Sequence, residues 1–274
     1  MMSPMQKAAA LLAACAGLAA CGGSATAGSN AAASKSFNYG SPGAPTQTET
    51  DSAVSAEGQL GAARDFNKTP DAAKGESFIS ISDTLAAGFL GKSSLPMMNH
   101  QKTMGDLIHR GVSGDDILAC AVTTATSVTY TNCTQTDGGT TVTLNGSITV
   151  SAGAANWDLM GSVSGSSNGE TINATFHYAG TMTVTATTIT GTAGTDLHVT
   201  VSGQSGNFSA GASTAAILNL TYQSTPSYCI TGGTLEVKEV WTERPQGAQA
   251  NQFVDAGAKI TWTGCDTVQV ARSQ

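Results

Sequence analysis

The chain has 274 residues, of which 11% are charged, 40% hydrophobic and 5% aromatic, with a formal net charge of -7. That length allows one mid-sized domain or two small ones. The acidic balance argues against nucleic-acid binding and against polybasic attachment to a membrane surface. Charge is also unevenly placed. No Lys or Arg occurs between Arg110 and Lys238, and the acids of that stretch are Asp115, Asp116, Asp137, Asp158, Glu170, Asp196 and Glu236. A fold there must hold together almost without ion pairs, and exposed pairs contribute only about 0–1 kcal/mol each.

The first residues read as an address. One cation, Lys7, precedes an apolar run from Ala8 to Ala20. Such a run suits the core of an export signal and falls short of the roughly 20 residues a membrane-spanning helix needs. It ends Leu18-Ala19-Ala20-Cys21-Gly22. This resembles the lipobox of bacterial lipoproteins: a Leu, two small residues, then the Cys that receives lipid. The resemblance covers about the first two dozen residues. It implies that 1–20 is a lipoprotein signal peptide and that Cys21 carries diacylglycerol in thioether linkage as the mature N-terminus. A second copy, Leu12-Ala13-Ala14-Cys15, competes but has a shorter apolar run before it. A cleaved soluble secretory signal is the other alternative. Gly22 is not the Asp that retains many enteric lipoproteins at the inner membrane, so the resemblance implies an outer-membrane address.

Residues 21–75 are rich in Ala, Ser and Gly and poor in large apolar side chains, with Gly40-Ser41-Pro42-Gly43-Ala44-Pro45 at the centre. Such a segment reads as a flexible tether, since it offers little surface to offset ordering entropy. Weak helicity is expected over Asp51 to Asp65. The β-rich domain is placed at 76–274. At its start, Phe78 to Ile81 reads as a strand, Ser82-Asp83 as the beginning of a short helix reaching Leu90, and Lys102 to Arg110 as a second.

From about Leu118 the apolar period becomes two. Its longest run is Ile172, Ala174, Phe176, Tyr178, Gly180, Met182, Val184 and Ala186, against Asn173, Thr175, His177, Thr181 and Thr183. This predicts one long strand bent near Gly180, or two strands split there. Further strands are expected around Val142 to Val150, Leu197 to Val201, Leu218 to Tyr222, Thr234 to Thr242, Ala258 to Thr263 and Thr267 to Ala271. Asp137-Gly138-Gly139, Asn168-Gly169, Gly194-Thr195 and Gly232-Gly233 read as turns. The expected fold is mainly β: an antiparallel meander forming a curved sheet or incomplete barrel, with one or two short helices at its N-terminal side.

Beyond Cys15 and Cys21 four cysteines remain, Cys120, Cys133, Cys229 and Cys265. Four allow three disulfide connectivities. Cys120–Cys133 and Cys229–Cys265 are expected, because each pair brackets consecutive strands. A zinc site would call for C-x-x-C pairs and a nearby His, and neither occurs.

Motifs for chemistry are thin. Ala86 to Ser93 loosely matches a phosphate loop, but Pro96 blocks the helix that motif needs. No G-x-S-x-G elbow occurs. Asp115-Asp116 lacks the spaced acids of a calcium loop. His177 and His198 fall on the polar face of their strands, and suitable register could bring them to each other or to Asp196 as an acid–base or metal site. Trp157, Trp241 and Trp262 read as core fillers. No catalytic residue, cofactor or metal is expected. The resulting expectation is a non-catalytic, lipid-anchored envelope protein acting as a surface, scaffold or binding module. Its partners are the membrane, through the N-terminal lipid, and an unidentified envelope protein or hydrophobic ligand. The alternative is a carrier or chaperone that cradles a lipid or other hydrophobic ligand on the curved sheet. An uncharacterised hydrolase or metal-dependent enzyme is third.

Overall fold

The computed structural model describes residues 30–63, 85, 89–90, 120–137, 140–167, 170–203, 206–246 and 253–274. Ten antiparallel strands form one open sheet in which every strand pairs with its neighbour in sequence. They are β1 (Val122–Thr123), β2 (Ser127–Asp137), β3 (Thr140–Ser151), β4 (Ala154–Ser167), β5 (Glu170–Val184), β6 (Thr188–Gly203), β7 (Phe208–Gln223), β8 (Cys229–Glu243), β9 (Ala256–Gly264) and β10 (Thr267–Arg272). The expected meander is therefore present, and the sheet does not close into a barrel.

Period-two patterning decides which side is buried. On β5, Ile172, Ala174, Phe176, Tyr178, Met182 and Val184 are buried, while Thr171, Asn173, Thr175, Thr181 and Thr183 are exposed. Trp157, Trp241 and Trp262 are buried as expected. Both expected disulfides form, Cys120–Cys133 with Cα atoms 5.7 Å apart and Cys229–Cys265 at 5.4 Å. Loops of 13 and 36 residues correspond to about 3 and 4 kcal/mol of stabilisation in the chain-entropy account.

Register runs unbroken from β3 to β7. The strand through Gly180 is neither split nor bulged. Its glycine instead makes room for a neighbour: a Cβ there would overlap the indole of Trp157, its direct partner on β4. Two expected turns lie inside strands. Gly194-Thr195 is in the middle of β6, where the Asn30 side chain packs against Gly194. Gly232-Gly233 lies in β8, beside a register shift opposite Thr221 and Tyr222, and Gly233 takes φ +99°. Two of the connections use threonine. The hydroxyls of Thr124 and Thr185 accept from the Ser127 and Thr188 backbone N–H groups, at 2.9 and 3.0 Å, and close near-identical turns.

The largest departure is N-terminal. Residues 30–63, expected as part of a flexible tether, clasp the sheet from one face to the other. A short helix, Ala31–Ser34, lies on the polar face over β6, β7 and β8. The Lys35 carbonyl there accepts from buried Lys238 Nζ at 3.0 Å. The chain then crosses the outer edge of β10, pairing Tyr39 with Ser273 and Gly43 with Val270. A second helix, Gln47–Ala63, follows on the apolar side, where Ala53, Ala56 and Leu60 join the core. Small side chains permit this close packing, and buried polar contacts fix it. Glu49 receives two bonds from Arg272 Nη2, at 2.7 and 2.6 Å, and Glu57 accepts from Ile230 N–H at 2.6 Å.

The expected strand at Phe78–Ile81, the helix at 102–110, the phosphate-loop match, Asp115-Asp116 and the leader with Cys15 and Cys21 lie outside the described residues. Of the helix expected to reach Leu90, Leu85, Phe89 and Leu90 are helical, and Leu85 and Phe89 are in the core.

Candidate functional site on the polar face

The buried side of the sheet also carries polar groups. Tyr178, Thr195, Thr214 and Glu239 pair directly across β5 to β8 and are each 0–1% exposed. A buried polar row of this kind pins register, because a slip of one residue would carry it to the opposite face. The accessible chemistry lies on the other side.

His177 stands on the polar face of β5, directly opposite Asp196 on β6. Its Nε2 lies 2.8 Å from Asp158 Oδ1 and its Nδ1 lies 3.9 Å from Asp196 Oδ2. The register thus brings His177 beside Asp196, and Asp158 joins them. Asp158 is diagonal to His177 across β4, so only the strand register could have revealed it. Asn30 adds a fourth group. Its Nδ2 donates to Asp196 Oδ1 at 3.3 Å and to the Thr214 carbonyl at 3.1 Å, while its Oδ1 accepts from Ala33 N–H at 2.8 Å.

His198 does not join this cluster. It is also on β6, but its Nε2 meets Glu243 Oε2 at 2.7 Å and Ser209 Oγ at 3.3 Å. Hydrogen bonds from Ser209 and His198 hold the Glu243 carboxyl below its usual range. No strand pattern pointed to Glu243, which reaches His198 through a register shift between β7 and β8.

These arrangements restrict the chemistry available. A relay for nucleophilic catalysis needs an imidazole with a carboxylate on one nitrogen and the nucleophile on the other. Both nitrogens of His177 face carboxylates, and Ser209 and Glu243 meet the same nitrogen of His198. Among the described residues, no three His, Cys, Asp or Glu side chains converge as metal ligands.

Beside the His177 cluster is a shallow depression of about 420 Å³, where polar groups such as Asn30, Thr149, Asn156 and Thr181 share the lining with Trp157, Ala179 and Gly180. Several of these stand in one cross-strand row: Ser127, Thr149, Asn156, Thr181 and Thr192. That row offers hydroxyl and amide groups, able to exchange hydrogen bonds with a polar layer laid over it. Where the clasp covers this face, burial and the Glu236 carboxylate push the Tyr39 phenol up to about 12. No protein-family model, curated protein or solved structure matches the chain.

Proposed function

We propose that the chain is a lipid-anchored protein of the bacterial cell envelope, attached through Cys21, whose disulfide-stapled sheet is a non-catalytic binding or scaffold module. The observation that carries this reading is the cysteine arrangement. All four cysteines beyond the leader pair with one another. Paired cysteines fit an exported, oxidising location. They also leave Cys21, in its Leu-Ala-Ala-Cys setting, as the thiol reserved for lipid, and acyl chains contribute about 0.8 kcal/mol per buried CH₂. Gly22 favours the outer membrane as the destination.

The test is direct. The full chain and Cys21→Ser are expressed in a bacterium with two membranes, fractionated and measured by intact mass. The parent should band with outer membrane and carry the mass of a diacylglyceryl group on Cys21. Cys21→Ser should lose that mass and leave the membrane fraction. Normal processing of the variant with unchanged membrane association would overturn the reading.

A further inference from the structure

We infer that the polar face of β3 to β7 is the surface turned toward the bilayer, with the lipid headgroup layer as its partner. The inference rests on the proposed anchor at Cys21. It follows from where the docked chain begins. Asn30 is fixed over the middle of β6 by its bonds to Asp196 and Thr214, and Gly194 lies directly beneath it. Only nine Cα-to-Cα steps separate Cys21 from Asn30. Fully extended, they reach about 30 Å, at 3.3–3.6 Å per residue.

That reach argues against presenting the opposite face. Asp196 is seven residues from the end of β6 at Gly203 and eight from its start at Thr188. Either end of the strand is therefore about 25 Å away across the face, at 3.3 Å per residue. The β1 edge is five strand spacings away, about 24 Å. To present the opposite face, the leash would cross that distance and then pass the sheet and the layer packed on it, about 10 Å more. The sum exceeds its length. The nearer edge, at β10, is already occupied by the clasp through Tyr39 and Gly43.

The chemistry of the face sets how it meets lipid. No Lys or Arg lies between Arg110 and Lys238, so β1 to β7 contribute no permanently cationic side chain. Polybasic attraction to anionic lipid, which salt screens, is not the means of contact. The leash holds the domain near the membrane. Thr149, Asn156, Thr181 and Thr192 then offer hydrogen bonds to headgroups.

The lipidated full chain is reconstituted into phosphatidylcholine vesicles containing a headgroup-attached quencher. A fluorescent amino acid is placed at Thr181, exposed on the polar face, or at Val54, exposed on the long helix of the other face. Quenching at Thr181 should exceed that at Val54 several-fold and persist in high salt. A flexible Gly-Ser insert of about 20 residues between Cys21 and Asn30, adding on the order of 25 Å of coil span, should shrink the contrast while the protein stays on the vesicles. Equal quenching, or stronger quenching at Val54, with the lipid mass present on Cys21 overturns the orientation alone. Absence of that mass overturns the anchor and the orientation together.

Discussion

Asn30 and Asp196 are joined by a 3.3 Å hydrogen bond although 166 residues separate them in sequence. The same Asn30 side chain caps the short helix and donates to the Thr214 carbonyl. One side chain therefore starts the helix and ties the N-terminal clasp to two strands. Asn30→Ala should cost about 1–2 kcal/mol, combining a lost N-cap with lost hydrogen bonds. Exchange of the Ala32 amide, which donates to Ser213 Oγ at 3.0 Å, should accelerate more than exchange within β5. Uniform acceleration across the sheet would mean that the clasp and sheet open as one unit.

The ion pair at the other end of the clasp predicts an acid-sensitive contribution. Burial pushes the Glu49 carboxyl up, but the Thr46 N–H and hydroxyl and the Arg272 guanidinium together carry it below its ordinary value. A depressed carboxylate contributes stability above its unfolded value, near pH 4.3, and loses it as pH falls through the folded value. Glu49→Gln should therefore be less stable at neutral pH, by about 1–2 kcal/mol once solvent screening of half-exposed Arg272 is allowed for. Urea unfolding below pH 4 should bring the two proteins together. A difference independent of pH would remove the ion pair as its source.

Much of the sheet was legible because strand burial repeats every two residues, a signal carried by each strand alone. Ile172 to Val184 needs no knowledge of its neighbours to be placed. The cysteine pairs were legible for a similar reason, since each lies near its own hairpin. The clasp was not. Ala32, Ala53 and Ala56 are the small residues of a linker, and what orders them is contact with groups such as Ser213, Ile230 and Arg272, far along the chain. At the site, the polar face gave His177 and Asp196 together. Asp158 required the register of β4 on β5, and Asn30 required the path of the clasp.

Glu57 should titrate in the opposite sense from Glu49. Burial raises its carboxyl, the Ile230 N–H partly offsets that, and Asp266 raises it further. A carboxyl whose folded value is raised favours the protonated fold, so stability is fullest below the unfolded value and falls as pH rises through the folded one. Glu57→Gln keeps an oxygen to accept from Ile230 and removes the charge. It should be at least as stable as the parent at pH 7, with the advantage vanishing below about pH 4. A loss of stability at pH 7 would show that the carboxylate charge supports the fold.

Gly180 and Trp157 give a prediction about packing. An added Cβ at Gly180 would overlap the indole and come within 2.7 Å of the Thr192 carbonyl. That carbonyl is part of the β6 backbone, so the strain cannot be relieved by turning a flexible side chain. Overpacking of a filled core costs about 1–3 kcal/mol, and the backbone contact places Gly180→Ala at the upper end. Gly43→Ala is the matched control, because nothing lies within 4 Å of the position its Cβ would take. It should change stability by less than about 0.5 kcal/mol. Urea unfolding followed by tryptophan fluorescence would measure both, and equal midpoints would show that the Trp157 ring can move aside.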